Sequence, residues 1–357
     1  MRIKNIVVIV AALLTVTVTS CDNDFRQRAR GSISDVTVVM DSTQWESKTA
    51  DAIRNTFGKL VYTLPNPEEF YNLKFRDIRT QAELELVKSM KNVIFVAPID
   101  DSSNVAAQIR SFLETGVEDR VRNGESFAFP IKDQWFRDQY ALILSSTTDS
   151  ALAEKIINSE RALLSDIQER ELERWKYEVY EKKEQTQLSD SLWANYGFKV
   201  RIQHDYIQSV DTTNFLSFRR YSPDNDRWFW VWHMDDVKDI NFLDNDWINA
   251  KRDSLTQMYV KGNSDDKYVV TEYRRPVDTK TFQKGNLIAY ETLGTWRLEN
   301  GAMGGPFVNF TYYDPMTERL FMVEYSQFAP KVRKKIHFVR QFRAMGRTFE
   351  SDSTWTH

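Results

Sequence analysis

The feature that most limits how this chain can fold is its cysteine content, because its 357 residues include a single cysteine, Cys21. No intrachain disulfide can form and no cysteine-based zinc cluster is possible, which excludes folds that depend on either crosslink. The chain must instead bury an apolar core. Its composition permits this, since 41% of the residues are hydrophobic and 13% are aromatic, with only 12 glycines and 9 prolines.

The N-terminus has the pattern of a secretory signal. Arg2 and Lys4 precede an uncharged apolar run over residues 6–18, and small residues lead from there to Cys21. The run has 13 residues, whereas a membrane-spanning helix needs about 20, so it is too short for a permanent transmembrane anchor. We therefore predict that residues 1–20 are a signal peptide.

The residues that close this segment, Val18-Thr19-Ser20-Cys21, resemble a bacterial lipobox. In signals of that kind the cysteine sulfur receives a diacylglycerol, the signal peptide is removed, and the cysteine amine can take a further acyl chain such as palmitate. Two or three acyl chains suffice for stable anchoring, whereas one chain binds only marginally. The resemblance implies a lipoprotein held in the membrane through Cys21. The alternatives are an ordinary secretory signal and a cytoplasmic protein whose apolar N-terminus arose by chance.

The charge of the chain bears on its partners and its compartment. Removal of the signal peptide with its two basic residues changes the net charge from −3 to −5, and an acidic body argues against nucleic acid as a partner. Asp22-Asn23-Asp24 resembles the acidic tether of Bacteroidota lipoproteins that are exported to the cell surface. We expect an envelope protein anchored by its lipid to the outer membrane. The periplasmic and the surface face both stay open, because three arginines follow the acidic residues.

The rest of the chain divides into four segments. Residues 21–34 are polar without periodicity and predict a flexible tether. Strands alternate with helices over residues 35–190, which predicts an α/β subdomain that ends in a long charged helix. Residues 191–349 predict an aromatic-rich α+β subdomain, and residues 350–357 a polar tail. The fold class is therefore α+β, with mixed and antiparallel sheets and packed helices. Both halves end as strand, connection, strand and long helix, which suggests two related subdomains.

The familiar catalytic motifs are absent from the sequence. It contains no glycine-rich phosphate loop, no Gly-x-Ser-x-Gly elbow, no His-Glu-x-x-His and no calcium-binding loop. His204 and His233 have acidic neighbours, but adjacency in sequence does not aim an imidazole, so we interpret both as structural or surface residues. We predict no catalytic residue, no metal and no cofactor, and a protein that is not an enzyme is favoured.

The densest aromatic run is Trp228-Phe229-Trp230-Val231-Trp232. Side chains alternate along a strand, so Trp228, Trp230 and Trp232 share one face. Three indoles in a row would form an aromatic platform for sugar rings or aromatic ligands. The alternative is a central strand that is buried on both faces, because indoles are also common in cores.

The most unusual local string runs over residues 295–307. It combines an Asn-Gly pair, typical of a tight hairpin, with Gly-Gly-Pro, which permits close backbone approach before a strand. One interpretation is a rigid loop that presents side chains and backbone amides to a ligand, and the other is a bulged hairpin that needs its glycines for geometry. The candidate binding residues are Trp296, Arg297, Glu299, Asn300, Met303, Gly304 and Gly305.

Several strings together resemble a Bacteroidota lipoprotein family defined by a domain of unknown function, family 4837. The likeness covers nearly the whole chain after the signal peptide and implies compartment and lineage but no catalytic residue. The strings that carry it are the lipobox at Cys21, Gly294-Thr295-Trp296, the segment Asn300 to Pro306, Tyr313-Asp314 with Arg319 and Leu320, and Ala329-Pro330.

Three functions are compatible with these features. The first is a lipid-anchored binding or interaction module of the cell envelope, whose partner is an envelope protein or a glycan. The second is an envelope hydrolase that acts on glycan or peptide with carboxylates that sequence spacing cannot pair. The third is a structural envelope protein without a ligand site.

Overall fold

The computed structural model describes residues 25–222 and 224–355. The predicted signal peptide, the lipobox and Cys21 lie outside these ranges. Within the described ranges, no helix is both long and apolar enough to cross a bilayer.

The N-terminal domain is built on a five-stranded sheet of order β4-β1-β5-β7-β6. The first four strands in that order are parallel, and β6 is antiparallel to β7. The elements are β1 (Asp35–Val39), α1 (Lys48–Phe57), β2 (Leu60–Val61), β3 (Glu68–Glu69), β4 (Asn72–Arg76), α2 (Gln81–Lys88), β5 (Asn92–Val96), α3 (Asn104–Phe112), α4 (Val117–Arg122), β6 (Ala128–Lys132), β7 (Tyr140–Leu144), α5 (Asp149–Asn158) and α6 (Glu160–Tyr180).

Helices cover both faces of this sheet, which is why its strands read as continuous apolar runs. Ile94 of β5 lies in one core with residues of α1, α5 and α6. Its neighbour Phe95 points to the opposite face and lies in a second core with residues of α2 and α3.

Residues 27–33 form an N-terminal strap that is held on this domain by backbone hydrogen bonds. The Ala29 amide donates to the Arg137 carbonyl at 2.9 Å, and the Arg30 amide donates to the Ser89 carbonyl at 2.7 Å. The side chains of Ala29 and Ile33 are buried. Residues 27–33 therefore differ from the flexible tether predicted over residues 21–34, because they are attached to the domain. Backbone contacts of this kind leave no side-chain pattern that would reveal them in the sequence.

The C-terminal domain contains an eight-stranded antiparallel sheet of order β12-β14-β15-β16-β11-β10-β9, and β13 pairs with the first part of β14. The elements are α7 (Thr186–Tyr196), β8 (Phe198–Lys199), β9 (Ile207–Asp211), β10 (Phe215–Arg220), β11 (Asp226–Met234), α8 (Asn245–Tyr259), β12 (Val269–Thr271), β13 (Asp278–Lys284), β14 (Leu287–Leu298), β15 (Gly304–Asp314), β16 (Arg319–Phe328), α9 (Ile336–Gly346) and β17 (Glu350–Ser351).

β11 lies between the two cores of this domain, and its side chains point alternately into one core and the other. Phe229 and Val231 lie in one core with residues of α7 and α9. Trp228 and Trp230 lie in the other with residues of α8. The α+β class and the two subdomains are confirmed. One sheet is mostly parallel and the other antiparallel, so their topology gives no support to a duplication.

The end of the chain is also packed against the C-terminal domain. Strand β17 pairs with β8, Phe349 is buried, and the Arg319 guanidinium lies 5.8 Å from the ring centroid of Trp355. Residues 350–355 therefore differ from the polar tail predicted there, because two short strands and one indole attach them to the domain.

A buried ion pair joins the two domains. Nε of Arg340 on α9 lies 2.9 Å from Oε1 of Glu171 on α6, and both side chains are at most 4% exposed. The Tyr71 hydroxyl donates to the other Glu171 oxygen at 2.5 Å, and Nη1 of Arg340 donates to the Ser34 hydroxyl at 2.7 Å. The predicted long charged helix is α6, and its Glu171 and Arg174 are buried. The charged residues of this helix are therefore not all solvated, since Glu171 forms an ion pair at the domain junction.

Candidate functional site

The tryptophan strand, β11, is covered by α8. Trp230 and Trp232 are 0% and 3% exposed. The ring of Phe215 stacks on Trp230 with centroids 5.6 Å apart, and Nζ of Lys251 lies 4.2 Å from the Trp232 ring centroid. The hypothesis of an exposed platform of three indoles is therefore wrong, because a helix occupies the face that a ligand would need. Trp228, at 8% exposed, is the member of the run that reaches a cavity.

The predicted loop over residues 295–307 is a hairpin between β14 and β15. Trp296 is 1% exposed, and its Nε1 donates to the Gln327 carbonyl at 3.2 Å. Arg297 and Glu299 form an ion pair at 2.7 Å. Asn300 adopts a φ of 52°, and its side-chain amide donates to the Asp266 carbonyl at 3.2 Å. These contacts hold the hairpin in one shape.

The paired glycines of this hairpin permit close packing of the backbone. A Cβ atom at Gly305 would lie 1.9 Å from the Gln327 carbonyl oxygen, and one at Gly304 would lie 2.9 Å from the Trp296 carbonyl oxygen. Both residues are therefore needed for the geometry of the sheet. This supports the structural interpretation of the two glycines over their role as ligand contacts.

A cleft of about 750 Å³ opens at one end of the eight-stranded sheet. We name it the C-terminal cleft. Its walls come from β9 and β10, the C-terminal end of α8 with the loop to β12, and the β14–β15 hairpin. Two features singled out in the sequence meet here, because Trp228 of the tryptophan strand and Trp296 and Met303 of the hairpin all line the cleft. Arg297, Glu299, Asn300, Gly304 and Gly305 are not among its lining residues.

The floor of the C-terminal cleft is aromatic. The indoles of Trp228 and Trp296 meet edge to face with centroids 5.3 Å apart, and Phe328 lies 6.3 Å from Trp296. Tyr259 and Met303 add further apolar surface to the lining. Trp228 is 8% exposed and Trp296 is 1% exposed, so little indole surface is open to the cleft. The half-buried rings of Tyr259 and Phe328 offer more accessible aromatic surface.

The rim of the C-terminal cleft is polar and mostly cationic. Nε of Arg219 donates to both oxygens of Asp226 at 3.1 and 3.2 Å, and these hydrogen bonds raise the pKa of Arg219. The Arg219 guanidinium also lies 4.7 Å from the ring centroid of Tyr221, which is 65% exposed. Lys261 pairs with Asp265 at 2.8 Å, and Lys267 lies on the same loop. The rim thus places hydrogen-bond donors of arginine and lysine side chains around the aromatic floor.

The described residues that line the cleft do not include the carboxylate pair that most glycoside hydrolases use. Glycosidases use two carboxyl groups that are roughly 5 to 9.5 Å apart. Asp226 is the one carboxylate among the described residues that line the cleft, and Arg219 occupies both of its oxygens.

The histidines singled out in the sequence lie elsewhere. Nδ1 of His233 lies 3.3 Å from Asp235 and 3.4 Å from Arg319, and burial lowers the pKa of His233. His204 is exposed on a turn. Within residues 25–222 and 224–355, no group of three or more His, Cys, Asp or Glu side chains could hold a metal ion. We interpret the His233 cluster as a structural network.

Several cleft residues could not be singled out in the sequence. Ser209 is on β9, Ser217 is on β10, and Tyr221 directly follows β10. Lys261 and Lys267 come from the loop after α8. The Ser209 hydroxyl lies 3.3 Å from the Ser217 hydroxyl across the two strands. The residues carry no shared motif, since strand pairing brings them together across distant segments.

Comparisons with known proteins give two family matches. Residues 185–348 match the sequence model of a domain of unknown function (DUF4837), and residues 29–180 match that of another domain of unknown function (DUF8532). No curated protein sequence matches the chain. The likeness predicted for nearly the whole chain to family 4837 is therefore confirmed for the C-terminal domain, whereas a different family model matches the N-terminal domain.

Two solved structures show a weak likeness. One is the Ran-binding protein Mog1p of Saccharomyces cerevisiae, at 10% identity and a TM-score of 0.30, which covers 43% of this chain and 90% of that chain. The other is a point mutant of Mog1, at 10% identity and a TM-score of 0.27, covering 44% and 92%. At these scores neither likeness bears on function. The chain thus matches DUF8532 over residues 29–180 and DUF4837 over residues 185–348.

Proposed function

We propose that this protein is a lipid-anchored protein of the cell envelope whose C-terminal cleft binds a glycan. The observation that carries the proposal is the combination of an aromatic floor and a polar, cationic rim in one cleft of about 750 Å³. Ligand pockets of about 300 to 1,000 Å³ with a few placed polar groups are typical of small-molecule sites. A sugar presents C–H faces that pack on aromatic rings, and in this cleft the accessible rings are the exposed Tyr221 and the half-buried Tyr259 and Phe328. Its hydroxyls can form hydrogen bonds with the polar rim.

The competing functions find less support in the same cleft. A glycoside hydrolase of the usual kind would need a second carboxylate beside Asp226, and none is present among the described lining residues. A protein partner would bury about 800 Å² on each side over a broader surface than this concave site offers. A purely structural protein would leave the conjunction of aromatic and cationic groups without a role.

The anchor is supported by the lipobox ending at Cys21. Mass spectrometry of the purified protein is expected to find an N-terminal peptide that begins at Cys21 and carries acyl chains. An unmodified Cys21 thiol or an intact Met1 would contradict the anchor and leave the glycan proposal standing.

Replacing Tyr221 with alanine is expected to weaken glycan binding about tenfold, which corresponds to about 1.4 kcal/mol. The Tyr221 ring is 65% exposed at the cleft rim and stacks with the Arg219 guanidinium, so its removal deletes a contact surface without opening the core. A glycan microarray identifies a bound oligosaccharide, and isothermal titration calorimetry then compares wild type with Tyr221→Ala.

The matched control is Tyr62→Ala. Tyr62 is 55% exposed and does not line the C-terminal cleft, so this variant should bind like wild type. Equal affinities for wild type and Tyr221→Ala, or equal losses in both variants, would remove the cleft from the account.

A further inference from the structure

A second surface, on the N-terminal domain, has the character of an anion-binding groove. The groove has a volume of about 240 Å³ and lies between the N-terminal strap, edge strand β4 and helix α2. Arg30 of the strap and Lys74 and Arg76 of β4 line it, and all three side chains are exposed. We name it the strap groove.

The chain builds this cluster by backbone contacts and strand periodicity. Lys74 and Arg76 are two residues apart on β4 and so point to the same face of the sheet. Arg30 is fixed beside them, because its amide donates to the Ser89 carbonyl and its carbonyl accepts from the Lys91 amide, both at 2.7 Å. The cationic groups are therefore brought together before any ligand binds.

Positive charge exceeds negative charge among the described residues that line the strap groove, and of its four cationic side chains only Lys91 forms an ion pair, with Asp138 at 3.5 Å. Asp35 is the one carboxylate among the described lining residues, and it accepts a hydrogen bond from the Asn72 side chain at 3.0 Å. No ion pair between described residues includes Arg30, Lys74 or Arg76. This is unusual for a protein whose net charge is −3, because its acidic side chains outnumber its basic ones.

Acidic residues on the adjacent helix α2 are already engaged. The Glu83 carboxylate accepts hydrogen bonds from the backbone amides of Arg79 and Thr80, at 2.8 and 2.9 Å. Glu85 pairs with Lys88 at 3.2 Å. The carboxylates nearest in sequence to the groove on this helix thus have partners of their own.

The length of chain between Cys21 and the strap limits where this groove can lie. The first backbone hydrogen bond of the strap is accepted by the Gln27 carbonyl, from the Arg137 amide at 3.0 Å. Cys21 and Gln27 are six residues apart, and extended chain spans at most about 3.6 Å per residue, so the two are within about 22 Å. If Cys21 carries the lipid, the strap and its groove are held close to the bilayer surface.

We propose that the strap groove binds the phosphates of anionic lipid headgroups, so that the N-terminal domain lies on the membrane with β4 and the strap toward it. This inference rests on the lipid anchor of the proposed function and is independent of the glycan site. Guanidinium groups match phosphate oxygens with paired hydrogen bonds. Leu86, which is 46% exposed beside the groove, supplies an apolar contact at the level of the headgroups.

The test measures how fast the Lys74 amine is acetylated when the mature lipidated protein is held in vesicles. One set contains phosphatidylcholine alone, and the other equal parts of phosphatidylcholine and phosphatidylglycerol. Mass spectrometry should find Lys74 acetylated at least about threefold more slowly in the anionic vesicles, and high salt should remove the difference. Lys280, which is 69% exposed on the C-terminal domain, should react equally in both and serves as the internal control.

A double variant, Arg30→Gln with Arg76→Gln, separates binding from mere proximity. Both side chains are exposed, so the fold should be retained, and the protection of Lys74 should be lost. Equal acetylation of Lys74 in the two vesicle types, or unchanged protection in the double variant, would overturn the inference while the anchor stands. A protein whose N-terminal peptide carries no acyl chain would overturn the anchor and this inference together.

Discussion

Arg340→Ala is expected to lower the free energy of unfolding by about 3–5 kcal/mol, because it leaves the Glu171 carboxylate buried without its cation. Both side chains are at most 4% exposed at the junction of the two domains. The variant also removes the hydrogen bond from Arg340 to the Ser34 hydroxyl. Urea denaturation followed by far-ultraviolet circular dichroism measures the loss.

The control for this prediction is an arginine whose ion pairs are exposed. Arg122 pairs with Asp100 at 2.9 Å and with Glu118 at 3.0 Å, and its side chain is 37% exposed. Arg122→Ala should leave the midpoint of denaturation almost unchanged, because water screens exposed pairs. If Arg340→Ala behaves like Arg122→Ala, the buried pair does not stabilise the junction.

Arg252→Met is expected to cost a similar amount, about 3–5 kcal/mol, inside the C-terminal domain. Nε and Nη2 of Arg252 on α8 donate to the two oxygens of Glu324 on β16, both at 2.8 Å, and both residues are 0% exposed. The guanidinium also lies 3.9 Å from the ring centroid of Phe307. Methionine keeps much of the apolar stem of arginine but leaves the buried Glu324 carboxylate without its cation. Urea denaturation measures the resulting loss in the free energy of unfolding.

A second variant distinguishes the cost of an unpaired charge from the cost of lost packing. Arg252→Met combined with Glu324→Leu removes both charges, and replacing a buried pair by apolar residues is often neutral. We expect the double variant to be more stable than Arg252→Met alone. Glu324→Leu is also measured alone. If the double variant loses as much stability as the two single variants together, packing and not the buried charge determines the cost.

Several strands and one turn of this fold could be predicted from local sequence. The apolar run Val93 to Ala97 predicts a strand, and β5 spans Asn92–Val96. β4, β9 and β13 lack such a run and are not predicted. Asp314-Pro315-Met316-Thr317 has Asp at the first and Pro at the second position of a type I turn, which predicts a hairpin. These residues do connect β15 and β16, and the Asp314 carboxylate accepts a hydrogen bond from the Met316 amide at 2.9 Å. Local chemistry decides these features, so local sequence reveals them.

Features decided by distant residues could not be read in this way. Pro330 predicts the start of the last helix, yet α9 begins at Ile336. The reason is that Glu68 of the N-terminal domain accepts hydrogen bonds from the amides of Lys335 and Ile336, at 2.7 and 3.1 Å. The start of this helix is thus capped by a residue from another domain.

The same limit explains the candidate site. Alternation along the tryptophan strand correctly predicted that Trp228, Trp230 and Trp232 share one face. It could not show that α8 covers Trp230 and Trp232. The hairpin string located one wall of the C-terminal cleft through Trp296 and Met303. The remaining walls come from separate segments that only the tertiary fold assembles, so sequence identified single residues and not the cavity.

Hydrogen–deuterium exchange with and without a bound glycan tests the central claim most directly. Glycan binding in the C-terminal cleft should slow amide exchange at the end of α8 and the following loop, residues 259–269, and in the hairpin over residues 296–304. Exchange in α2, on the N-terminal domain, should not change. Protection that is confined to the N-terminal domain, or absent from both cleft segments at saturating glycan, would contradict the assignment of this cleft as the binding site.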